Sequence, residues 1–454
     1  MKINTKQSLL SKIVTGYEEI EPCIIVALAL RHNVFLEARH GVGKTTLGTV
    51  LGAAADTSGR GFRYYPCDKA GLIDLGGLPD MEKSSKSGML SYVPTNRSIF
   101  GAKVILADEL PRASKDRMNY WLEILEQRSF QGQPVNYDLC IATGNPATYK
   151  GNNKLDLALK NRFLFWLPCR DFSNVTSNEV MDMIKLNVEG RTDVATVAKE
   201  LSITIEAIRK KVSEYLSNPE TVNQLSQFIG TFTQFVKDKI SSDSELSTCE
   251  DSFISPREFA YQMIYAMMGL GAYFDHMGYK NAFQLAGEYT IKYTIETRHA
   301  SSGPNFFNIC AAAWRQLRGM LVDDVNTPEG KLKWAFASAI SAPQKIAFWR
   351  ENIAAVCSTL GDVDITVLAG DTLQQVTTES VPQIGPFWQI MKSAAKTRHV
   401  AEEVEGFMLT EVARRLKLGG ADSSSALTPL YNKYKDIVAL TPENVSEILS
   451  SKES

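Results

Sequence analysis

The chain has 454 residues, 44% of them hydrophobic, and a formal net charge of −2. That is globular composition, long enough for about two to four domains, and its near-neutral balance gives no global pull toward nucleic acid or an acidic membrane surface. The seven cysteines, at 23, 67, 140, 169, 249, 310 and 357, include no Cys-x-x-Cys pair, so they read as reduced thiols and not as a disulfide framework or zinc site.

Met1 to Leu10 has no apolar signal core, and the longest apolar run, Cys23 to Leu30, is far short of the about 20 residues a membrane span needs. The expectation is a cytoplasmic protein (host cytoplasm if virus-encoded) with no membrane contact. Leu9, Leu10, Ile13, Val14, Tyr17 and Ile20 recur at helical spacing and predict a helix over about residues 8–30. Val34-Phe35-Leu36 is a first strand, ending in Gly41-Val42-Gly43-Lys44-Thr45. Further strands are expected at Gly61 to Tyr65, Val104 to Ala107, Leu139 to Ala142 and Phe163 to Leu167. Short continuous apolar strands between helical stretches imply a parallel sheet covered on both faces. The polar motifs fall at C-terminal strand ends, where open α/β sheets place ligands.

After Pro168 helical periodicity dominates, as in the stripe Val222, Leu225, Phe228, Ile229, Phe232, Phe235, Val236 and Ile240. Ser241 to Asp251 and Arg298 to Asn305 read as breaks, and Gly419 to Ser425 as a polar link.

Gly43-Lys44-Thr45 opens a helix after a strand. Glycine lets backbone N–H groups approach an anion, and the helix N-terminus favours negative charge. Lys44 would reach β- and γ-phosphates and the Thr45 hydroxyl would ligate Mg²⁺. The candidate nucleotide-binding residues are Gly41, Val42, Gly43, Lys44, Thr45 and Thr46. The full pattern asks for glycine where Ala38 stands, so a Gly-rich strand–helix connection is the alternative.

Asp108-Glu109 closes the third strand. Adjacent carboxylates at a buried strand end are poorly explained by packing. Asp108 would hold Mg²⁺ with Thr45, and Glu109 would orient and deprotonate an attacking water. Asn145 reads either as a water-positioning side chain or as a turn residue in Gly-Asn-Pro. Arg162 is either an arginine finger for a neighbouring subunit or an exposed helix-end arginine. Ser255-Pro256 is a helix start. It puts Arg257 in a first turn, where the dipole disfavours a cation unless an anion faces it; the alternative is a solvated arginine.

In this order these residues resemble the MoxR family of AAA+ ATPases, in the helix-2 insert clade. The likeness covers about Leu10 to Ile295. It rests on Leu36 to Thr45, Ser98 to Ala113 with its Asp108-Glu109-Leu110-Pro111-Arg112, Ala142-Thr143-Gly144-Asn145-Pro146, Asn161-Arg162-Phe163 and Ser255-Pro256-Arg257. It implies an AAA+ α/β P-loop core at 1–170 with a helix-2 insert at about 76–97, an α-helical lid at 171–297, and a C-terminal mostly helical domain of unknown role at 298–454. It further implies that Asn145 is sensor 1, Arg162 the arginine finger and Arg257 sensor 2. The activity implied is Mg²⁺-dependent ATP hydrolysis by a homo-hexamer that remodels a protein client, often beside a von Willebrand A-domain partner. The sequence departs from the family at Ala38, at His40 (usually proline) and at Pro111 (usually asparagine).

Two patterns compete. Asn153-Lys154-Leu155-Asp156 fits a guanine-reading signature but sits several residues past the strand end, where coincidence explains it. Asp193 to Leu216 carries Ala195, Val197, Ala198, Leu201, Ile203, Ile205, Ile208 and Val212 at helix–turn–helix-like spacing. Arg209, Lys210 and Lys211 would then lie on the second helix, where they could read a major groove. That supports the alternative of an NTP-driven, restriction-type DNA-handling motor; lid packing is the plainer account. A third reading is a nucleotide-gated scaffold with little turnover. Trp314, Trp334, Trp349 and Trp388 read as core or interface.

Overall fold

A computed structural model describes residues 8–39, 41–56, 58, 61–88, 91–145, 155, 157–169, 194–243, 246, 256–299, 303–322, 325–374, 387 and 390, with the side chains of 87, 157, 158, 256–260, 362, 363, 366, 373 and 374 left aside. His40, Pro146, Asn153, Lys154, Asp156, Ser255, Trp388 and the Gly419 to Ser425 link lie outside these. The chain divides into two compact units, Met1–Arg315 and Gln316–Ser454.

The first unit runs α1 (Glu21–Leu30), β1 (Val34–Glu37), α2 (Lys44–Ala55), β2 (Phe62–Pro66), α3 (Leu72–Gly76), β3 (Leu78–Pro79), α4 (Met81–Ser87), β4 (Tyr92–Val93), β5 (Val104–Asp108), α5 (Lys115–Gln127), β6 (Ser129–Phe130), β7 (Gln133–Pro134), β8 (Leu139–Gly144), α6 (Leu157–Lys160) and β9 (Phe165–Pro168). Five strands form one parallel sheet in the order β2-β5-β8-β1-β9, all five at the runs the sequence predicts. This is a parallel α/β core, with β8 lying between the strand that leads into the glycine loop and the strand that ends in Asp108.

Register explains the core. Tyr65 pairs Ala107, Ala107 pairs Ala142, and Phe35 pairs both Ala142 and Trp166, so one row of side chains crosses the whole sheet. Trp121, Ile124 and Leu125 of α5, spaced to share one helix face, bury against that row. The other face takes α2, where Gly48 and Gly52 leave room for Phe62.

Between α3 and β5, β3 and β4 pair antiparallel, Leu78 with Val93 and Pro79 with Tyr92, and α4 lies between them in sequence. Gly77 joins α3 to this element with φ 99, and a Cβ there would meet Val93 O at 2.4 Å. Leu78, Met81 and Val93 are exposed on it, as is Ile73 on α3. A second hairpin, β6–β7, turns through Gln131 and Gly132, both at positive φ, as a two-residue turn matched to strand twist requires.

The helix expected over 8–30 is interrupted. A 3₁₀ turn at Leu10–Lys12 precedes Gly16 at φ 92, and α1 begins at Glu21 with Pro22 in its first turn. Gly16 breaks the helical path, and Pro22, with no N–H to give, suits a helix start. Glu21 is buried and accepts from Ser8 Oγ, the Leu9 and Leu10 N–H groups and Tyr273 Oη. It ties the N-terminal segment and α1 to a later helix.

Among the described residues, four helices follow: α7 (Val194–Ser217), α8 (Pro219–Ser242), α9 (Pro256–His276) and α10 (Ala282–Thr290), the last running into a π-helical turn at Ile291–Glu296. α8 starts at Asn218, whose side chain accepts from the Glu220 and Thr221 N–H groups, and buries Leu225, Phe228, Ile229, Phe232, Val236 and Ile240. The helix–turn–helix expectation fails here. Val194–Ser217 is one unbroken helix with Ser202 in its interior, and Val197, Leu201, Ile205, Ile208 and Val212 form a single buried stripe. No glycine or proline interrupts the period, so nothing turns the chain. Arg209 donates to the Ala29 and Leu28 carbonyls at the C-terminus of α1, and Lys211 pairs with Asp275 at 3.0 Å.

α11 (Pro304–Leu317) leads to the second unit, where α12 (Pro328–Ser338), α13 (Ala342–Thr359) and α14 (Asp362–Gln374) surround Phe336, Ile346, Trp349, Val356 and Ile365. Trp349 is fully buried and donates to Thr372 Oγ1 at 2.9 Å, as its reading as core requires.

Candidate functional site at the C-terminal sheet edge

The loop after β1 closes with Gly41 at φ 82 and Gly43 at φ 80. Both occupy the left-handed region that glycine enters freely. A Cβ on Gly41 would meet nothing within 4 Å, whereas one on Gly43 would meet Val14 Cγ2 at 2.6 Å. Ala38 needs no such freedom: its N–H donates to Gly144 O at 2.9 Å, continuing the ladder, and its φ is not positive. The missing glycine therefore sits where strand geometry still holds.

Gly43 caps α2, whose first residue is Lys44. The Lys44 ammonium is buried 2.7 Å from Asp108 Oδ1 and 3.5 Å from Thr143 Oγ1. Thr45 is exposed and Thr46 half-buried on the same first turn.

β5 and β8 place Asp108 and Thr143 side by side, one step beyond the Ala107–Ala142 pair. Thr143 Oγ1 donates to Asp108 Oδ1 at 2.5 Å and accepts from the Glu109 N–H at 3.1 Å. Tyr64, from edge strand β2, donates to Asp108 Oδ2 at 3.1 Å. Burial pushes the Asp108 carboxyl up, but the Lys44 ammonium, the Thr143 hydroxyl and the Tyr64 phenol together hold it below its ordinary value. Burial, then Asp108, push the Tyr64 phenol up to about 12, so it remains a donor. Thr143 and Tyr64 are site residues to which the sequence reading gave no role. The signal for Thr143 was a buried hydroxyl in an otherwise apolar strand; Tyr64 had none.

Glu109 adopts φ 56, ψ 41, an uncommon conformation for a residue with a Cβ. It turns the chain sharply out of β5 into a 3₁₀ turn at Leu110–Arg112, and Arg112 Nη1 lies 2.9 Å from Glu109 Oε2. Pro111 packs on Gly144, where a Cβ would meet Pro111 Cγ at 2.8 Å, so the proline at this place is matched by a glycine opposite. Asn145 follows β8 and is buried. Lys44, Asp108, Glu109, Thr143 and Asn145 thus converge on one edge of the sheet.

Arg162 lies at the other edge. It precedes β9, and its carbonyl accepts from Asn33 Nδ2, just before β1. The length of β1, about 13 Å, separates it from the glycine loop. Its guanidinium pairs with Glu126 of α5 at 2.7 Å. Arg257 sits in the first turn of α9.

This edge fits a nucleotide phosphate bound with Mg²⁺. Two left-handed glycines, a 12-residue helix N-terminus and a buried ammonium suit phosphate oxygens. One ionised carboxylate and one exposed hydroxyl, with no cluster of three or more ligating residues among the described ones, suit a Mg²⁺ that keeps waters and shares phosphate oxygens. No described helix is long and apolar enough to cross a membrane.

No family model matches the chain. Among curated proteins it is similar to "Uncharacterized protein YeaC" of Bacillus subtilis (strain 168), 25% identical over an alignment of 186 residues that covers 39% of this chain and 54% of that protein. The chain thus spans about half the length of that relative. Among solved structures it is similar to a "putative ATPase" from Cytophaga hutchinsonii ATCC 33406, with 16% identity, a TM-score of 0.45, and 68% of this chain and 91% of that one covered. The function is therefore read from the residues of the site.

Proposed function

We propose that this chain is a Mg²⁺-dependent ATPase of MoxR type, assembled as an AAA+ homo-hexamer that remodels a protein client, with a von Willebrand A-domain protein as the expected partner. The observation that carries it is the cluster of Lys44, Asp108, Thr143 and Glu109 at one sheet edge, with Arg162 at the opposite edge. An arginine held about the length of β1 away from its own phosphate loop suits sharing between neighbours.

Gly41 to Thr46 cradle the phosphates, and Lys44 leaves Asp108 for the β- and γ-phosphate oxygens. Thr45 and Asp108 would hold Mg²⁺, which would supply charge neutralisation. Glu109 takes the proton of the attacking water. Asn145 positions that water, and the neighbour's Arg162 with Arg257 stabilises charge on the transferred group. The lid then shifts against the core, and the C-terminal unit carries the client or partner.

The test is Mg²⁺-ATPase activity of wild type, Glu109→Gln and Arg162→Ala, with the assembly sized by light scattering. Both variants should bind ATP and fall about a thousandfold or more in turnover. Normal hydrolysis by Arg162→Ala would remove the shared site, and an inactive wild type would leave a nucleotide-gated scaffold.

A further inference from the structure

The turn that carries Arg162 is gripped along its backbone. Its three successive carbonyls each accept from a different side chain. Gln262 Nε2 donates to Asn161 O at 2.5 Å, Asn33 Nδ2 to Arg162 O at 3.2 Å, and Arg298 Nη2 to Phe163 O. Arg298 Nη1 also donates to Gln262 Oε1 at 3.0 Å, so the two outer grips are one unit. Next to it, Thr297 Oγ1 donates to Trp166 O at 2.6 Å. Asn33 belongs to the core, but Gln262 is on α9, and Thr297 and Arg298 follow the π-helical turn that ends α10.

Arg298 is only 3% exposed. A buried guanidinium bonded to a carbonyl and an amide oxygen is a directional, costly arrangement, and it holds its partners in one geometry. Gln262 lies five residues after Arg257 on α9, about 7.5 Å along the helix axis. A rigid helix joins the first turn, proposed to sense the subunit's own nucleotide, to the grip on the turn whose arginine serves the next subunit.

We infer that Gln262 and Arg298 are positioning residues that set the place of Arg162, so that movement of α9 in response to one subunit's nucleotide tunes hydrolysis in its neighbour. This rests on the proposed ring ATPase. The relay is mechanical: α9 shifts, the Gln262–Arg298 pair shifts with it, and the carbonyls of Asn161 and Phe163 carry the Arg162 turn along. The Arg162–Glu126 ion pair then opens toward the subunit interface.

Mixed assemblies of the full-length chain test it. Gln262→Met keeps side-chain length and loses the amide. Alone, it should lower kcat about 10- to 100-fold with the KM for ATP unchanged, because the finger acts in the transition state and small misplacements cost that much. Its own Lys44, Asp108 and Glu109 remain intact. Adding Glu109→Gln protein, silent but with a correctly held Arg162, should therefore raise turnover as it takes places beside Gln262→Met subunits. A defect in folding or in the cis site would not be rescued. Arg298→Lys, which loses the two-pronged donor, should behave the same way. Wild-type kcat in Gln262→Met, or a loss of kcat that Glu109→Gln does not relieve, would overturn the relay. Arg162→Ala separates the failures. If it is silent and rescued in the mixture while Gln262→Met is normal, only the relay is wrong. If Arg162→Ala itself turns over normally, the shared site fails and the relay with it.

Discussion

Lys44 Nζ and Asp108 Oδ1 stand 2.7 Å apart, so the cation proposed for phosphate and the carboxylate proposed for Mg²⁺ neutralise each other before either ligand arrives. Lys44→Met leaves the half-buried Asp108 beside two neutral hydroxyls. Loss of one member of such a pair costs about 3 kcal/mol. Asp108 is held below its ordinary value in the fold. Its contribution is thus full above the usual carboxylate pKa of about 3.9 and is lost as pH falls through the folded value. In Lys44→Met the folded carboxyl is pushed back up, so this acid-range loss should shrink, read by denaturant titrations across the acid range, and ATP binding should disappear.

Thr143→Val keeps the shape and removes the hydroxyl that joins Asp108 to the Glu109 backbone. About 1–2 kcal/mol of stability should go with the two hydrogen bonds. Turnover should fall more than ATP affinity, because Glu109 loses the anchor of its N–H. Thr143→Ser should recover most of both. A Thr143→Val protein with wild-type turnover would sink this role.

The two loop glycines should respond differently to the same change. Gly41→Ala meets open space and bears only the left-handed backbone cost of about 1–2 kcal/mol. Gly43→Ala bears that and also forces Val14 aside. Thermal denaturation should rank Gly43→Ala clearly below Gly41→Ala, and equal midpoints would count against the packing of Val14 on the loop.

Burial, with Arg298 and Lys160 nearby, lowers His299 to about 3; burial, with Arg128 nearby, lowers His32 to about 4. The fold keeps both neutral, while the unfolded chain takes up protons below about 6.5. Stability should therefore decline as pH drops from there toward 4, by up to about 1.4 kcal/mol per pH unit for each histidine. Denaturant midpoints across this range should flatten in His299→Phe, which keeps a ring against Phe306.

Much of the core was legible because each strand is a short apolar run with a polar motif at its end, and covered parallel strands leave that trace. Lys44 and Asp108-Glu109 stood out for the same reason. Tyr64 and Thr143 did not, because their contacts arise from register across β2, β5 and β8, which no local pattern encodes. The helix expected over 8–30 failed at Gly16, where a positive φ outweighs apolar spacing on both sides. The expected turn in 193–216 failed for the opposite reason: the spacing was equally that of one long amphipathic helix, and no residue there breaks it.

Glu109 brings backbone comfort and chemistry into conflict at a single position. Its φ of 56 is one that glycine would occupy without penalty and that a side chain occupies at a cost of about 1 kcal/mol. Glu109→Gly should therefore yield a protein that is no less stable, even without the Arg112 contact, and chemically silent. A search guided by thermostability alone would accept that change, and so would discard the carboxylate on which the proposed turnover depends.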